Sequence, residues 1–235
     1  LAEKEGESFS LPETMPEYPE YPDPVAKFRE EFEALEGIFF DTGSRKEIRA
    51  ALQQVLLENE AGSLAWENEQ VLDMTGCSYS PGFQFSSEDF FTCSLHEDGT
   101  VSERVTLTNF DRTSEEMGRM EVSVSKAKAG IAETGSIVES IGEKGSRVMP
   151  ILAPVHVVLL PADRLLNNHL DFFTSFTPGA EGSAQIIMSG ASRTGDIEKT
   201  LIVGVHGPKK LYVIFMRESS VCGGKSEIRK SKSEN

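Results

Sequence analysis

Apolar residues recur along this chain at two spacings, and their alternation sets out an architecture. Val25, Phe28, Phe32 and Leu35 fall three and four apart, the stripe of a helix that ends at Gly37. Ile38–Phe40 follows as a short buried strand. Ser44, with Glu47 three residues later, forms a capping box, and Ile48, Leu52, Val55 and Leu56 give that second helix its core face. Ser63–Glu67 reads as another strand and Gln70–Met74 as a short helix. This rhythm of strand, helix and strand is that of an α/β domain. From Gly76 to Asn109 the pattern loosens: Pro81, Gly82, Asp98 and Gly99 mark turns, and Phe83, Phe85, Phe90 and Phe91 need burial.

Regularity returns at Met120–Ser125, which alternates as a strand does. The small residues of Ala127–Gly135 let another backbone or a ligand come close. Ser136–Glu139 is a strand, Gly142–Gly145 a turn, and Val148, Ile151 and Leu152 suggest a short helix. Val155–Leu160 is apolar on both faces, the mark of a central parallel strand, and His156 within it is expected as a satisfied core histidine. Asp163 starts a helix carrying Leu165, Leu166, His169, Leu170 and Phe173 at helical spacing. Thr177–Ser183 is a loop. Ile186–Met188 reads as a buried strand running into the small, hydroxyl-rich turn Ser189–Gly195. A helix is expected next, with Thr194 as N-cap, Asp196 and Glu198 in its first turn, Ile197 and Leu201 four apart, and Gly204 as its stop. Leu211–Met216 is the next buried strand, so this unit would be a right-handed parallel crossover.

Charge and composition then exclude some functions. The net charge is −15, and residues 1–40 hold eleven acids against three bases, a balance of −8 that repels nucleic acid. Five prolines keep Leu11–Pro24 extended, with Tyr18 and Tyr21 able to pin it to another surface such as a partner subunit. No apolar run approaches the ~20 residues of a membrane span. Leu1 opens an acidic stretch, unlike a secretory signal, and the three widely spaced cysteines (Cys77, Cys93, Cys222) read as reduced cytoplasmic thiols. No Cys-x-x-Cys occurs, so the chain by itself cannot hold a four-cysteine iron–sulfur cluster. Gly190, Ser192 and Gly195 nearly match a dinucleotide fingerprint, but the Cβ of Ser192 would crowd a pyrophosphate. Gly223–Ser226 lacks the leading glycine of a phosphate loop. No cofactor and no metal are expected. The organisation read from this is an acidic, proline-rich extension over 1–24, an α/β domain over 25–216, and a polar, disordered tail over 217–235.

Ser189-Gly-Ala-Ser-Arg-Thr-Gly-Asp-Ile-Glu198, followed by Gly204-Val-His-Gly-Pro208, resembles the LUD domain of the lactate-utilization protein C family. Ile131–Ile137 is similar to a second motif of that family, and Pro154–Pro161 resembles the strand between them. The resemblance covers roughly Glu121 to Met216. It departs at Gly195, where alanine is expected, and at Lys126 and Lys128, in a segment expected to be small or acidic. It implies a NagB/RpiA/CoA-transferase-like fold, α/β with a mainly parallel sheet flanked by helices. It also implies a part in oxidising L-lactate to pyruvate beside iron–sulfur partner proteins. On this resemblance the candidate catalytic residues are Glu133 and His206. The candidate ligand-binding residues are Thr134, Gly135, Ser192, Arg193, Thr194 and Gly207. Arg193 could hold a small anion, a carboxylate or phosphate, with N–H groups at the helix start assisting. That loop, with the Glu133–Thr134 turn beside it, is expected beyond the C-terminal ends of the strands. The rival reading is an autonomous enzyme or binding protein for a phosphorylated, CoA-linked or carboxylate ligand, with Glu133 as nucleophile or base. Either reading leaves room for a homo-oligomer.

Overall fold

The computed structural model describes residues 18–61, 64–66, 69–75, 78–79, 90–95, 100–107, 121–141, 153–175, 184–194, 202–203 and 207–217. Helix α1 (Pro24–Ala34) begins where Asp23 accepts the backbone N–H groups of Val25 and Ala26, with proline at the position that lacks an intrahelical donor. Strand β1 (Ile38–Thr42), helix α2 (Arg45–Glu58), strand β2 (Leu64–Trp66) and helix α3 (Glu69–Thr75) follow as the apolar spacing predicts. At the start of α2 the Ser44 hydroxyl accepts the Glu47 N–H at 3.3 Å. The Glu47 carboxylate reaches one residue beyond the cap, to the Gly43 N–H at 2.7 Å, so the capping box is displaced by one position.

The loosely patterned region holds β3 (Ser78–Tyr79), β4 (Phe90–Leu95) and β5 (Thr100–Leu107). Next come β6 (Val122–Lys126), β7 (Ala129–Ile131), β8 (Ser136–Ile141) and β9 (Val155–Pro161). A 3-10 turn over Ala162–Arg164, β10 (Leu165–Leu166) and α4 (His169–Ser175) lead to β11 (Ala184–Met188), β12 (Arg193–Thr194), β13 (Ile202–Val203) and β14 (Lys210–Met216).

Eight strands form the main sheet in the order β1-β14-β9-β6-β2-β4-β5-β3. From β1 through β2 every neighbour is parallel, and β4 and β5 add an antiparallel pair. The architecture is therefore α/β with a mainly parallel sheet flanked by helices. Strand pleating sends Tyr212, Ile214 and Met216 of β14 to one face and Leu211, Val213 and Phe215 to the other. On the first face, Ile48, Leu52 and Val55 of α2 pack with Trp66, Val124 and Val157. On the second, α1 buries Phe28 and Phe32, each contributing about 1.5–3 kcal/mol of hydrophobic stabilisation.

That second face is also covered by a smaller sheet, ordered β10-β7-β8-β11, which contributes Ile137 and Met188. Between the two sheets lies a polar cluster. His156, the expected core histidine of β9, meets Ser123 of β6 through Nδ1 at 2.6 Å and Glu139 of β8 through Nε2 at 2.9 Å. Ser125 donates to the same Glu139 oxygen. A carboxylate only accepts, so the imidazole hydrogen toward Glu139 sits on Nε2. All four side chains are buried, and each has a partner.

Several expectations change. Ile186–Met188 is a strand, but it lies in the small sheet antiparallel to β8, and Ile187 is 42% exposed. It is thus not joined to Leu211–Met216 by a parallel crossover within one sheet. The helix expected from Thr194 to a stop at Gly204 does not reach that stop, because Ile202–Val203 is a strand, paired antiparallel with Arg193–Thr194. β-Branched Thr194, Ile202 and Val203 favour extended backbone, and two apolar residues four apart are a weak helical signal beside that. Residues 195–201 lie outside the described set. The helix expected from Asp163 begins instead at His169, since Asn168 accepts the Asp171 N–H at 3.0 Å and caps it there. Leu165–Leu166, placed in that helix by their spacing, pair as a short parallel strand with β7. Tyr21 packs on the chain's own second core. The expected elements at Gly142–Gly145, Val148–Leu152 and Thr177–Ser183, and the tail from Val221, fall outside the described residues.

Candidate functional site

Sheet direction decides which loops meet. In the small sheet β10 is parallel to β7, while β8 is antiparallel to both β7 and β11. Strands β7, β10 and β11 therefore point the same way. The turn after β7 (132–135), the junction after β10 (167–168) and the loop after β11 (189–192) collect at one end of that sheet.

Packing against α1 fixes this end. Gly135 has φ of +60°, and a Cβ there would stand 2.3 Å from the backbone nitrogen of Phe32. Gly190, at φ +87°, would meet the carbonyl oxygen of Leu35 at 2.7 Å. Only glycine combines that backbone region with so close an approach. Hydroxyls then link the two loops: Thr134 to Ser136 at 2.7 Å, and Ser136 to Ser189 at 2.7 Å.

Glu133 holds the outer part of the turn. Its N–H donates to the Asn167 carbonyl at 2.9 Å, beside the bond from Ala132 N–H to the Leu166 carbonyl. Its carboxylate lies 3.4 Å from Nδ1 of His169, the first residue of α4. Both side chains are partly open to solvent, 28% for Glu133 and 33% for His169. A hydrogen on Nδ1 pointing at the carboxylate leaves Nε2 as an acceptor, the arrangement of an oriented general base. Among the described residues no three His, Cys, Asp or Glu side chains converge as metal ligands.

The turn after β7 and the loop after β11 form a ledge along α1, and at its other end the Ser192 N–H donates to the Pro208 carbonyl at 2.9 Å. A Cβ on Gly207 would lie 2.9 Å from the Ser192 Cβ, so these two candidate residues touch. Arg193 and Thr194 follow directly in β12; their side chains, and all of His206, lie outside the described residues. The backbone at Arg193 is strand, and the residues whose N–H groups were expected to assist with an anion, from 195 onward, lie outside the described set.

The position of the ledge also departs from expectation. Leu35 lies just before β1 and Pro208 just before β14, so Gly190, Ser192 and Gly207 stand where the large sheet's strands begin. The expectation placed the Ser192–Thr194 loop, with the Glu133–Thr134 turn beside it, beyond the strands' C-terminal ends. The reason is topological: the loop that carries Gly190 and Ser192 follows β11 of the small sheet, whose membership the chain pattern did not disclose. The two lysines that break the family pattern are also remote from Glu133, at the opposite end of β7. Burial, with Arg164 and Lys126 nearby, holds the Lys128 ammonium below the usual lysine range.

Sequence reasoning missed His169 as a site residue and treated it as part of a helix face. Asn167-Asn168 just ahead of it, a strong N-cap signal, could have moved the helix start and exposed the pairing.

An α/β domain with a second sheet laid on one face, and a small-residue ledge where that sheet meets the first helix, defines the structural class. The chain belongs to the LUD domain family, whose model matches residues 25–216. It is 28% identical over 103 residues to lactate utilization protein C of Deinococcus radiodurans, a match covering 43% of this chain and 49% of that protein. Lactate utilization protein C of Anoxybacillus flavithermus is 24% identical over 178 residues, 75% of this chain and 73% of that protein. The first of these matches thus spans about half of the relative's length. A crystal structure of a DUF162 family protein from Deinococcus radiodurans superposes with a TM-score of 0.50 at 14% identity. It covers 83% of this chain and 96% of that one, a likeness of fold. No helix among the described residues is long and apolar enough to cross a membrane.

Proposed function

We propose that this chain is a component of an L-lactate utilization system, acting in the oxidation of lactate to pyruvate beside iron–sulfur partner proteins in the cytoplasm. The observation that carries the reading is the LUD domain match across residues 25–216, together with relatives named lactate utilization protein C. Residues 25–216 form the working domain in this reading, and 1–24 and 217–235 are appendages. The oxidation releases two electrons and two protons. The chain has no Cys-x-x-Cys with which to hold a four-cysteine cluster, so the electrons leave through the partners. Its own contribution is to bind the anion and handle a proton. Glu133 orients His169 as the base, while Thr134, Gly135, Ser192, Arg193, Thr194 and Gly207 line the ligand's path, and His206 remains a second candidate acid or base. Co-expression with the iron–sulfur partners, followed by lactate-dependent dye reduction, tests this. Reduction that needs both this chain and the partners is expected, and equal rates without this chain would overturn it.

The partly open Glu133–His169 pair favours a second reading, a self-sufficient enzyme acting on a small carboxylate, phosphorylated or CoA-linked ligand. Turnover by the purified chain alone would select that reading over the first.

A further inference from the structure

The N-terminal segment ahead of α1 does not simply lead into the helix. The N–H of Tyr21 donates to the side-chain oxygen of Asn167 at 3.2 Å, and Asn168 Nδ2 makes a long contact of 3.5 Å to the Pro19 carbonyl. The Tyr21 ring packs against the second core, with Lys27 lying 5.6 Å over its face. These two asparagines are the residues that hold the Glu133–His169 pair. The Asn167 carbonyl accepts the Glu133 N–H, and the buried Asn168 side chain caps the helix on which His169 is the first residue. The docked segment and the pair therefore share the same two anchors.

We propose that residues 18–23 form a strap, and that Asn167 and Asn168 are positioning residues that transmit its docking to the Glu133–His169 pair. With the strap docked, the turn after β7 and the start of α4 are held in one register and His169 is steered toward the carboxylate. With the strap released, Asn167 loses a partner, the junction loosens, and the imidazole opens to solvent. This deepens the reading of Glu133 and His169 as the working pair and rests on it.

Diethyl pyrocarbonate, which acylates accessible imidazoles, reads the strap without any assay of turnover. Modification of each histidine is followed by mass spectrometry in three proteins: the full chain, a chain lacking residues 1–22 but keeping the Asp23 cap, and full-length Asn167→Ala. The expected result is that His169 reacts roughly two- to tenfold faster in both variants, the change in open population for losing a hydrogen bond of ordinary net strength. His156 should stay unreactive throughout, reporting an intact core. In Glu133→Ala the truncation should add little, because the pair is already released; a strap that only shields by bulk would still slow the reaction there. An unchanged His169 rate in both variants overturns the proposal, as does acceleration only in variants where His156 also reacts. Unchanged lactate-dependent reduction in both variants, with the His169 effect intact, would reject the functional reading and leave the strap standing.

Discussion

Two glutamates of the β7–β8 hairpin each meet a histidine from elsewhere in the chain, and the two pairs are built in opposite ways. Glu139 and His156 are 6% and 0% exposed, lie 2.9 Å apart, and have Ser123 and Ser125 completing the set. Glu133 and His169 are 28% and 33% exposed, lie 3.4 Å apart, and leave a ring nitrogen without a role in the pair. A buried polar group left unsatisfied is expensive, so the inner pair is closed and its chemistry is spent on joining two sheets. Water can satisfy the outer pair, so it need not be closed, and a ligand can take the water's place. The same residue types thus serve structure in one place and are available for function six residues away.

Removing the carboxylates separates the two most strongly. Glu139→Ala removes two buried hydrogen bonds to a carboxylate, from His156 and Ser125, which keep a contact with each other at 3.2 Å, and should lower stability by about 3–5 kcal/mol in urea unfolding. A loss below about 1 kcal/mol, the level of an exposed pair, would erase the distinction. Gly135→Ala, beneath the outer pair, should cost roughly 2–3 kcal/mol through left-handed strain and the close Phe32 backbone. A neutral result would mean that the ledge is not anchored on α1.

Tyr212 is an intermediate case. Its ring is buried, while its hydroxyl accepts from Asn59 at 3.0 Å and reaches Glu58 at 3.3 Å. Tyr212→Phe should cost about 1 kcal/mol at neutral pH. Burial raises the Tyr212 pKa. The stability it lends is therefore fully present below the ordinary tyrosine value of about 10 and is lost as pH rises through the higher folded value. The difference between mutant and parent should shrink only in strongly alkaline buffer, and an equal deficit at every pH would refute the linkage.

The outer pair should hardly register in stability. Glu133→Ala is expected to change it by less than about 1 kcal/mol, as for other exposed pairs, while activity in the assembled system falls on the order of a hundredfold or more if His169 is the base it orients. Arg193→Lys should leave the melting temperature where it was and reduce ligand-induced stabilisation by lactate, since a lysine keeps the charge and loses the planar fork. Full activity in that variant would remove Arg193 from the site.

Much of the fold was legible because it is local. The stripe of α1, the cap of α2 and the unbroken apolar runs of β9 and β14 follow from periodicities of 3.6 and 2 and from capping chemistry, which act within a few residues. His156 was likewise readable as a core residue from its apolar neighbours. The turn that carries Glu133, Thr134 and Gly135 and the loop that carries Ser192 meet at one end of the small sheet, and Gly207 sits against Ser192.

Partner choice was not in the pattern. An apolar triplet such as Ile186–Met188 specifies a strand but not which sheet accepts it, and here it lines the small sheet with one face half open. The β12–β13 pairing at Arg193 depends on contacts between residues eight and ten apart, beyond the reach of local spacing. Which histidine meets which glutamate depends on register across separate strands and on the cap that starts α4 at His169. Local chemistry thus determined the elements and most of the candidate residues. Long-range packing, which assigns each strand its neighbours and each polar group its degree of burial, decided which pair is closed and which is left open.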